Sequence, residues 1–144
     1  MSKIRANKQI NGTFGAVWVN NDKWLDIEEF EAKLNIDYED VNMAEDLATH
    51  KKMIGWNGEG SMTVKKVYSR GAALLADAVK KGVIPDVSIV GKLADPDAFG
   101  SERVALNEVT FNEATLMKFE QKTTMTEELS FNFAAYDMID LITP

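Results

Sequence analysis

The stretch Trp24–Glu39, WLDIEEFEAKLNIDYE, contains the longest unbroken side-chain period in the chain. From Phe30 onward every even-numbered residue is apolar and every odd-numbered residue is polar. Successive side chains of a strand point to opposite sides, so this period predicts a long strand with one dry face and one wet face. Leu25 and Ile27 are apolar at odd positions, and this change of phase predicts a β-bulge near Glu28. Such a strand is suited to a large curved sheet or barrel that borders water.

Length and composition predict one domain over residues 1–144. With 45% hydrophobic and 27% charged residues, the chain has enough material for a core. There is no run of eighteen apolar residues and no leader-like start, so we expect neither a membrane anchor nor a secretion signal. We expect the protein to be made in a cytoplasm. The absence of cysteine excludes disulfides and thiolate zinc sites. The net charge of −7 argues against a nucleic-acid clamp.

The remaining periodicity predicts seven strands and one helix. Ser69 at an N-cap position, an apolar stripe of Leu74, Leu75, Ala78 and Val79, and Gly82 at the stop predict a helix over about 70–81 that packs on the sheet. The polar turn at residues 20–23 predicts a hairpin between a short strand and the long one. The strands are expected at residues 12–20, 24–39, 61–69, 86–93, 102–112, 113–122 and 127–133.

Three segments are interpreted as irregular. Residues 1–11 are polar and cationic and are expected to form an N-terminal arm, while residues 137–144 are expected to form a C-terminal tail that docks elsewhere. Residues 40–60 lack sustained alternation and are interpreted as a long loop, and loops above about 12–15 residues are usually functional or disordered. Apolar residues in that loop predict a contact between subunits or between rings of subunits. They are Met43, Leu47, Met53, Ile54 and Trp56.

The sequence predicts no catalytic, metal or cofactor site, and therefore no enzyme. His50 is the single histidine and has no cysteine or second histidine to join it. The acidic residues Asp37, Glu39 and Asp40 lack the ligand spacing of a calcium loop. The glycine-rich run 55–60 is not followed at once by the lysine and hydroxyl residue of a phosphate-binding loop.

The order of these features resembles the phage tail tube proteins of contractile tails, in particular those of PBSX-like defective prophages and phage-tail bacteriocins. Four stretches carry the resemblance and cover nearly the whole chain. They are INGTFGAVWVN (10–20), GWNGEGSMTVKKVYS (55–69), GSERVALNEVTFNEATLMKFE (100–120) and EELSFNFAAYDMID (127–140). The resemblance implies a mainly β, sandwich-like or barrel-like tail-tube fold with one helix, whose inner strands join a barrel shared between subunits.

The resemblance also implies a function and partners. The chain would be a structural subunit whose hexameric rings stack into a hollow tube, for DNA passage or for membrane puncture. Its partners would be other copies of itself and the sheath, baseplate or initiator, and tape-measure proteins, and DNA would pass without specific binding. The location would be a virion tail or tail-like particle assembled in the bacterial host cytoplasm. The lumen would be lined by the wet face of the long strand, Glu31, Lys33, Asn35, Asp37 and Glu39.

Other interpretations stay open at the level of sequence. A sheathless tail tube or a type VI-like secretion tube has a similar fold. A ligand-binding β-barrel or a hydrolase is a further alternative, against which stands the missing nucleophile and base. The wet strand face can also lie outside the tube, because the period identifies a wet face but not the water that it meets.

Overall fold

Seven strands form one antiparallel sheet in the computed structural model, which describes residues 4–144. The neighbour order is β2-β1-β5-β6-β7-β4-β3, so β3 lies at one edge of the sheet. One α-helix, α1 (Arg70–Lys81), and two short 3-10 turns, Ala6–Lys8 and Gly12–Phe14, complete the described part. The strands are β1 (Gly15–Val19), β2 (Asp22–Lys23), β3 (Ile27–Asn42), β4 (Thr49–Lys65), β5 (Val87–Leu93), β6 (Glu102–Phe111) and β7 (Thr126–Asp140).

The predicted long strand is confirmed as β3, with 16 residues. Its register shifts between Ile27 and Glu29, which confirms the predicted bulge. Its predicted pairing is wrong, because β3 pairs with β4 and not with β1. The turn at Asn20 and Asn21 instead joins β1 to the two-residue β2, and both asparagines have positive φ, 50° and 70°, as a tight two-residue hairpin requires.

The predicted loop over residues 40–60 is wrong. β3 continues to Asn42, a short turn follows, and Thr49–Lys65 forms β4, the longest strand of the described chain at 17 residues. Glycines interrupt the hydrophobic alternation here, and the structure shows why they are needed. A Cβ on Gly58 would overlap the ring of Phe133, and a Cβ on Gly60 would lie 2.5 Å from the carbonyl oxygen of Glu31. Neighbouring groups approach β4 so closely at these positions that only glycine fits. The apolar side chains that would have shown the alternation of a strand are therefore missing from the sequence.

Two predictions near the C-terminus also fail. Residues 113–122 form no strand, and the whole span 112–125 is an irregular loop between β6 and β7. Among residues 4–144 no strand pairs with this loop, so the alternation of its apolar residues was misleading. The first half of the predicted tail over residues 137–144 is strand, because β7 extends to Asp140 and pairs there with Arg103 of β6. Only residues 141–144 lie beyond it.

The core forms where the sheet curls onto itself. The ring of Phe30 in β3 lies against Gly91 of β5, although these strands are not neighbours in the sheet. Phe131 is fully buried and stacks with Phe30 at 6.1 Å and edge-on with Phe111 at 6.0 Å between ring centroids. Leu129 and Ile89 are fully buried beside this cluster. The apolar face of β3 is therefore covered near its start.

The helix prediction is confirmed in its bounds and in its stop at Gly82, which has φ 73°. Leu75 is buried as expected. Val79, which also belongs to the predicted apolar stripe, is 64% exposed, so the face of the helix that packs on the sheet is narrower than predicted. Ser69 makes no side-chain cap hydrogen bond. Arg70, the first residue of the helix, donates hydrogen bonds to both carboxylate oxygens of the buried Asp26, at 3.1 and 3.2 Å. This ion pair connects the start of α1 to the residue that precedes β3.

The predicted N-terminal arm is described from residue 4 onward, so its first three residues lie outside the structure. Residues 4–11 lie beside the turn after β5. The amide of Asn11 donates to Asp95 at 2.9 Å, and Lys8 Nζ donates to the carbonyl of Asp97 at 3.0 Å. No helix in residues 4–144 has the length and apolar character needed to cross a membrane.

Candidate functional site: two faces of a long hairpin

The β3–β4 hairpin extends beyond the body of the sheet. β4 pairs with β7 only from Gly58 to Lys65, while β7 from Ala135 to Asp140 pairs only with β6. β3 and β4 stay paired with each other as far as Asn42 and Thr49. We call residues 34–57 the hairpin arm. Its two faces have opposite chemistry, because even-numbered and odd-numbered residues of β3 point to opposite sides.

The apolar side of the arm is largely uncovered. The exposed fractions are 39% for Leu34, 45% for Ile36 and 53% for Tyr38. The residues that were predicted to be dry along the whole strand are therefore dry only at its start. Trp56 lies opposite Ile36 in the β3–β4 pair, and its ring contacts Tyr136 of β7 edge-on, with 5.5 Å between the ring centroids. This contact packs the apolar side of the arm against β7. We call this surface the apolar arm face, formed by Leu34, Ile36, Tyr38, Met53 and Trp56.

The predicted contact residues separate into two groups. Met43 and Leu47 lie in the turn at the tip of the arm, where they are 55% and 107% exposed. Met53 and Trp56 lie on the apolar arm face. Ile54 lies at the register shift of β4 opposite Asp37 and Tyr38 and is 63% exposed. All five are solvent-exposed to a large degree, but they belong to a strand and a tip and not to one loop.

The structure places all five predicted lumen residues on the opposite, polar face of β3. Lys33 forms an ion pair with Glu59 of β4 at 3.3 Å, and Asn35 donates to Asn57 at 3.1 Å. Hydrogen bonds from Asn35 and then from Lys33 lower the pKa of Glu59 below its ordinary value. Three carboxylates and one lysine give the five residues a net charge of −2. We call this surface the polar arm face; it begins in the body of the sheet with Glu31 and Lys33 and continues along the arm with Asn35, Asp37 and Glu39.

Other polar groups of the arm do not converge on an ion site. At the tip, His50 contacts Asp46 at 2.7 Å, and this contact, followed by the amide of Ala48, lowers the pKa of Asp46. Asp40 pairs with Lys51 at 2.7 Å on the face opposite to Asp37 and Glu39. Within residues 4–144, no three His, Asp or Glu side chains are grouped so that they could hold a metal ion.

An apolar groove opens between the two layers of the curled sheet. It has a volume of about 660 Å³ and lies where β3 crosses over β1, β5 and β6. Two cations line it side by side, because Lys92 and Arg103 pair across β5 and β6. Nε of Arg103 is buried, and no group in residues 4–144 accepts a hydrogen bond from it. Its apolar lining includes Phe30, Leu34, Val104, Leu106, Tyr136 and Met138.

Comparison with known proteins identifies the family. A family model described as phage tail tube protein matches residues 2–140. The chain belongs to the phage tail tube protein family. The PBSX protein XkdM of Bacillus subtilis strain 168 is 31% identical over 137 residues, covering 94% of this chain and 93% of that protein. The uncharacterised protein YqbM of the same strain is 30% identical over the same lengths.

Solved structures confirm the tail tube fold. The sheath–tube complex of the PVC extracellular contractile injection system in its extended state contains a chain with a TM-score of 0.69 and 10% identity, covering 94% of this chain and 95% of that one. A chain of the anti-feeding prophage cap has a TM-score of 0.73 and 8% identity, with 94% of each chain covered. The predicted mainly β fold with one helix, and the predicted family, are thus confirmed.

Sequence reasoning missed one part of the tail tube subunit that the structure shows clearly. Tyr136 and Met138 flank the groove, although their segment was interpreted partly as a tail. A signal was present: the apolar residues of β7 are odd-numbered up to Phe133 and then even-numbered at Tyr136 and Met138. Such a change of phase is typical of an irregularity within a continuing strand, and not of its end.

Proposed function

We propose that this chain is the tube subunit of a contractile phage-like tail, and that hexameric rings of it stack into a hollow conduit. The observation that carries the proposal is the hairpin arm, with an uncovered apolar face on one side and a charged face on the other. A soluble monomer seldom exposes a contiguous apolar surface of this kind unless another protein covers it. Because the chain belongs to the phage tail tube protein family, we take the protein that covers this surface to be another copy of the same chain.

The free edge of β3 supports the same arrangement. β3 is the outermost strand on its side of the sheet, so along its 16 residues it presents backbone groups that no strand within residues 4–144 pairs with. Long exposed edges promote uncontrolled strand pairing, and closure into a barrel removes them. Addition of a neighbouring subunit's strand at β3 would close the inner sheets of a ring into one barrel.

The polar arm face is the proposed lining of the lumen. Ring closure that buries the apolar arm face leaves the opposite face toward the axis, and this face carries a net charge of −2 per subunit from the five residues named above. A negative wall repels phosphate, so DNA would pass without the counterion-releasing contacts that basic residues form. The same wall would set the ion selectivity of a tube that punctures a membrane.

The relatives and the family support the remaining partners. XkdM is described as a protein of a phage-like element, and one structural neighbour comes from a sheath–tube complex. We therefore extend the proposal to an outer sheath, a baseplate or initiator that nucleates the tube, and a tape-measure protein, with assembly in the bacterial cytoplasm. We also propose a structural role, which the tail tube family supports.

Electron microscopy of purified protein tests the proposal directly. Negative-stain images of concentrated protein, with and without a tail initiator complex, should show hollow tubes with sixfold end views. Co-sedimentation of these tubes with the sheath protein separates a contractile tail from a sheathless one. Monomers under all of these conditions would contradict the proposed function.

A charge reversal tests the lumen assignment. The double variant Asp37→Lys/Glu39→Lys should change the unfolding free energy by no more than about 0.5 kcal/mol, because both side chains are exposed. It should form tubes with altered ion conductance or impaired DNA delivery. Asp77→Lys/Asp86→Lys makes the same change in net charge at exposed sites away from the arm and should leave both properties unchanged. Loss of sheath binding with unchanged conductance would place the polar arm face on the outside.

A further inference from the structure

The β6–β7 loop, residues 112–125, exposes large apolar side chains. Leu116, Met117 and Phe119 are 73%, 82% and 73% exposed. They follow one another closely, with the exposed Lys118 between Met117 and Phe119, and the exposed carboxylates of Glu113 and Glu120 flank them. A short apolar segment of this kind has the composition of a docking peptide and not of a solvated loop.

The apolar groove offers a matching receptor. Its mouth includes Leu34, Tyr136 and Met138, which are 39%, 39% and 47% exposed and would be covered by an inserted apolar segment. Its two adjacent cations, Lys92 and Arg103, form no ion pair within 4 Å in the described part of the chain. Glu28, Glu29 and Glu102 also line the groove, but none of them reaches these cations. Like charges opposite each other on neighbouring strands are unfavourable, so a carboxylate arriving between them would be stabilised.

The loop does not fill the groove of its own subunit in this structure, because Leu116, Met117 and Phe119 are largely exposed and none of them lines the groove. Phe119 lies seven residues before the start of β7 at Thr126, so an extended chain carries it roughly 24 Å from that point. Tyr136 and Met138 lie ten and twelve residues along β7, which is about 33–40 Å at the rise of a strand. Phe119 therefore falls short of the groove mouth along the strand, so the three side chains can enter it together only when they come from a second molecule.

Loop and groove lie at opposite ends of the sheet, and this decides the type of contact. The loop leaves the sheet at the end of β6 and the start of β7, whereas the groove mouth lies at the start of β6 and the end of β7. A surface at one end that fits a surface at the other end gives a head-to-tail contact, which repeats without limit. The tip of the hairpin arm lies at the same end as the groove mouth and does not produce such a polymer.

We propose that the β6–β7 loop of one subunit inserts Leu116, Met117 and Phe119 into the apolar groove of a second copy, with Glu113 or Glu120 facing Lys92 and Arg103. The contact links subunits head to tail along the strand direction. It deepens the proposed function and rests on it, because it assigns a donor and a receptor to the contact between successive rings of the tube.

Site-directed cross-linking tests this contact in the full chain, which has no cysteine of its own. The double variant Met117→Cys/Leu34→Cys is assembled at the concentration at which the wild type forms tubes, and treated with a short bismaleimide. Denaturing gels should show a ladder of covalent multimers. Each single-cysteine variant should give no species beyond a dimer, and the wild type should remain monomeric on the gel. Leu47→Cys/Leu34→Cys is the matched pair for insertion of the arm tip and should give no ladder.

The outcomes separate the contact from the proposed function. Tubes in which Met117→Cys/Leu34→Cys stays monomeric, or in which Leu47→Cys/Leu34→Cys gives the ladder, would overturn the contact while the tube function stands. Absence of wild-type tubes would contradict the proposed function. In that case a ladder from Met117→Cys/Leu34→Cys at the same protein concentration would still support the contact between loop and groove, and absence of the ladder would overturn that contact.

A charged substitution gives an independent readout. Phe119→Asp should raise the protein concentration needed for assembly by about tenfold or more and leave the thermal unfolding midpoint of the monomer unchanged, because the side chain is exposed. Leu25→Asp is the control, since Leu25 is 84% exposed and lies in neither surface. Equal effects of the two variants on assembly would argue against a specific role of the loop.

Discussion

Strands β3 and β4 run through both the body of the subunit and the hairpin arm, but they are covered differently in the two regions. In the body, β4 lies beside β7, and the apolar side of both strands is buried under the curled sheet, with Phe131 fully inaccessible. In the arm, the same side of β3 and β4 continues outward, and Ile36 is 45% exposed. Alternation therefore defines an apolar side, while the presence of a second layer decides whether that side is a core or an interface.

The largest contrast is expected from matched truncations of apolar residues. Phe131→Ala should lower the free energy of unfolding by about 3–5 kcal/mol, because it leaves a cavity among Phe30, Phe111 and Leu129. Ile36→Ala should cost the monomer no more than about 1 kcal/mol and act mainly on assembly. Urea denaturation of the two variants measures both values. Similar losses for the two would show that the arm belongs to the monomer core.

Two glycines of β4 provide a sharper version of the same contrast. Gly60→Ala places a Cβ against the carbonyl oxygen of Glu31 and the ring of Phe131, and should cost about 1–3 kcal/mol. Gly55→Ala, in the arm, meets only a carboxylate oxygen of Asp37 at 3.7 Å and should be neutral within about 0.5 kcal/mol. Thermal unfolding of both variants checks the difference. A strongly destabilising Gly55→Ala would mean that the arm is as tightly packed as the body.

Trp56 lies where the arm leaves the body, and its removal should affect both. Trp56→Ala removes the edge-on contact with Tyr136 and should cost the monomer about 1 kcal/mol. Its larger effect should be on assembly, since the ring contributes to the apolar arm face. Analytical ultracentrifugation and chemical denaturation separate the two effects. A variant that unfolds outright would place Trp56 in the subunit core.

The smallest expected effect concerns the polar arm face. The hydrogen bond from Asn35, and then that from Lys33, lowers the pKa of Glu59 below 4.5. A lowered carboxyl pKa contributes stability that is complete above pH 4.5 and is lost as the pH falls through the folded value. NMR titration of the Glu59 carboxyl should show a midpoint below 4.5 in the wild type and a value closer to 4.5 in Asn35→Ala. A wild-type midpoint at or above 4.5 would disprove this pairing.

The sequence was most informative where local chemistry determines the structure. The period of β3, its bulge at Glu28, the helix over 70–81 and its stop at Gly82 were all predictable, because each depends on neighbouring residues. The polar arm face was also predicted residue by residue. That it lines a lumen remains a prediction, because a strand pattern does not identify the water that it faces.

The errors arise where a distant residue determines the structure. Gly58 and Gly60 of β4 look like loop residues until the rings of Phe133 and Phe131 are seen above them. Leu116 and Phe119 have the alternation of strand residues, but no strand in the described part of the chain pairs with them. The groove could not be predicted, since it depends on β3 curling across β5, far along the chain. Long-range pairing in sheets is weakly encoded in local pattern.

Hydrogen–deuterium exchange tests the central claim most directly, which is that the apolar arm face is an interface and not a core. Peptides from residues 34–57 should exchange quickly in dilute monomer and become protected in assembled tubes. Peptides from residues 126–133 should be protected in both states, because they lie in the subunit core. An arm that is as protected in the monomer as residues 126–133, or one that stays unprotected in tubes, would contradict the account.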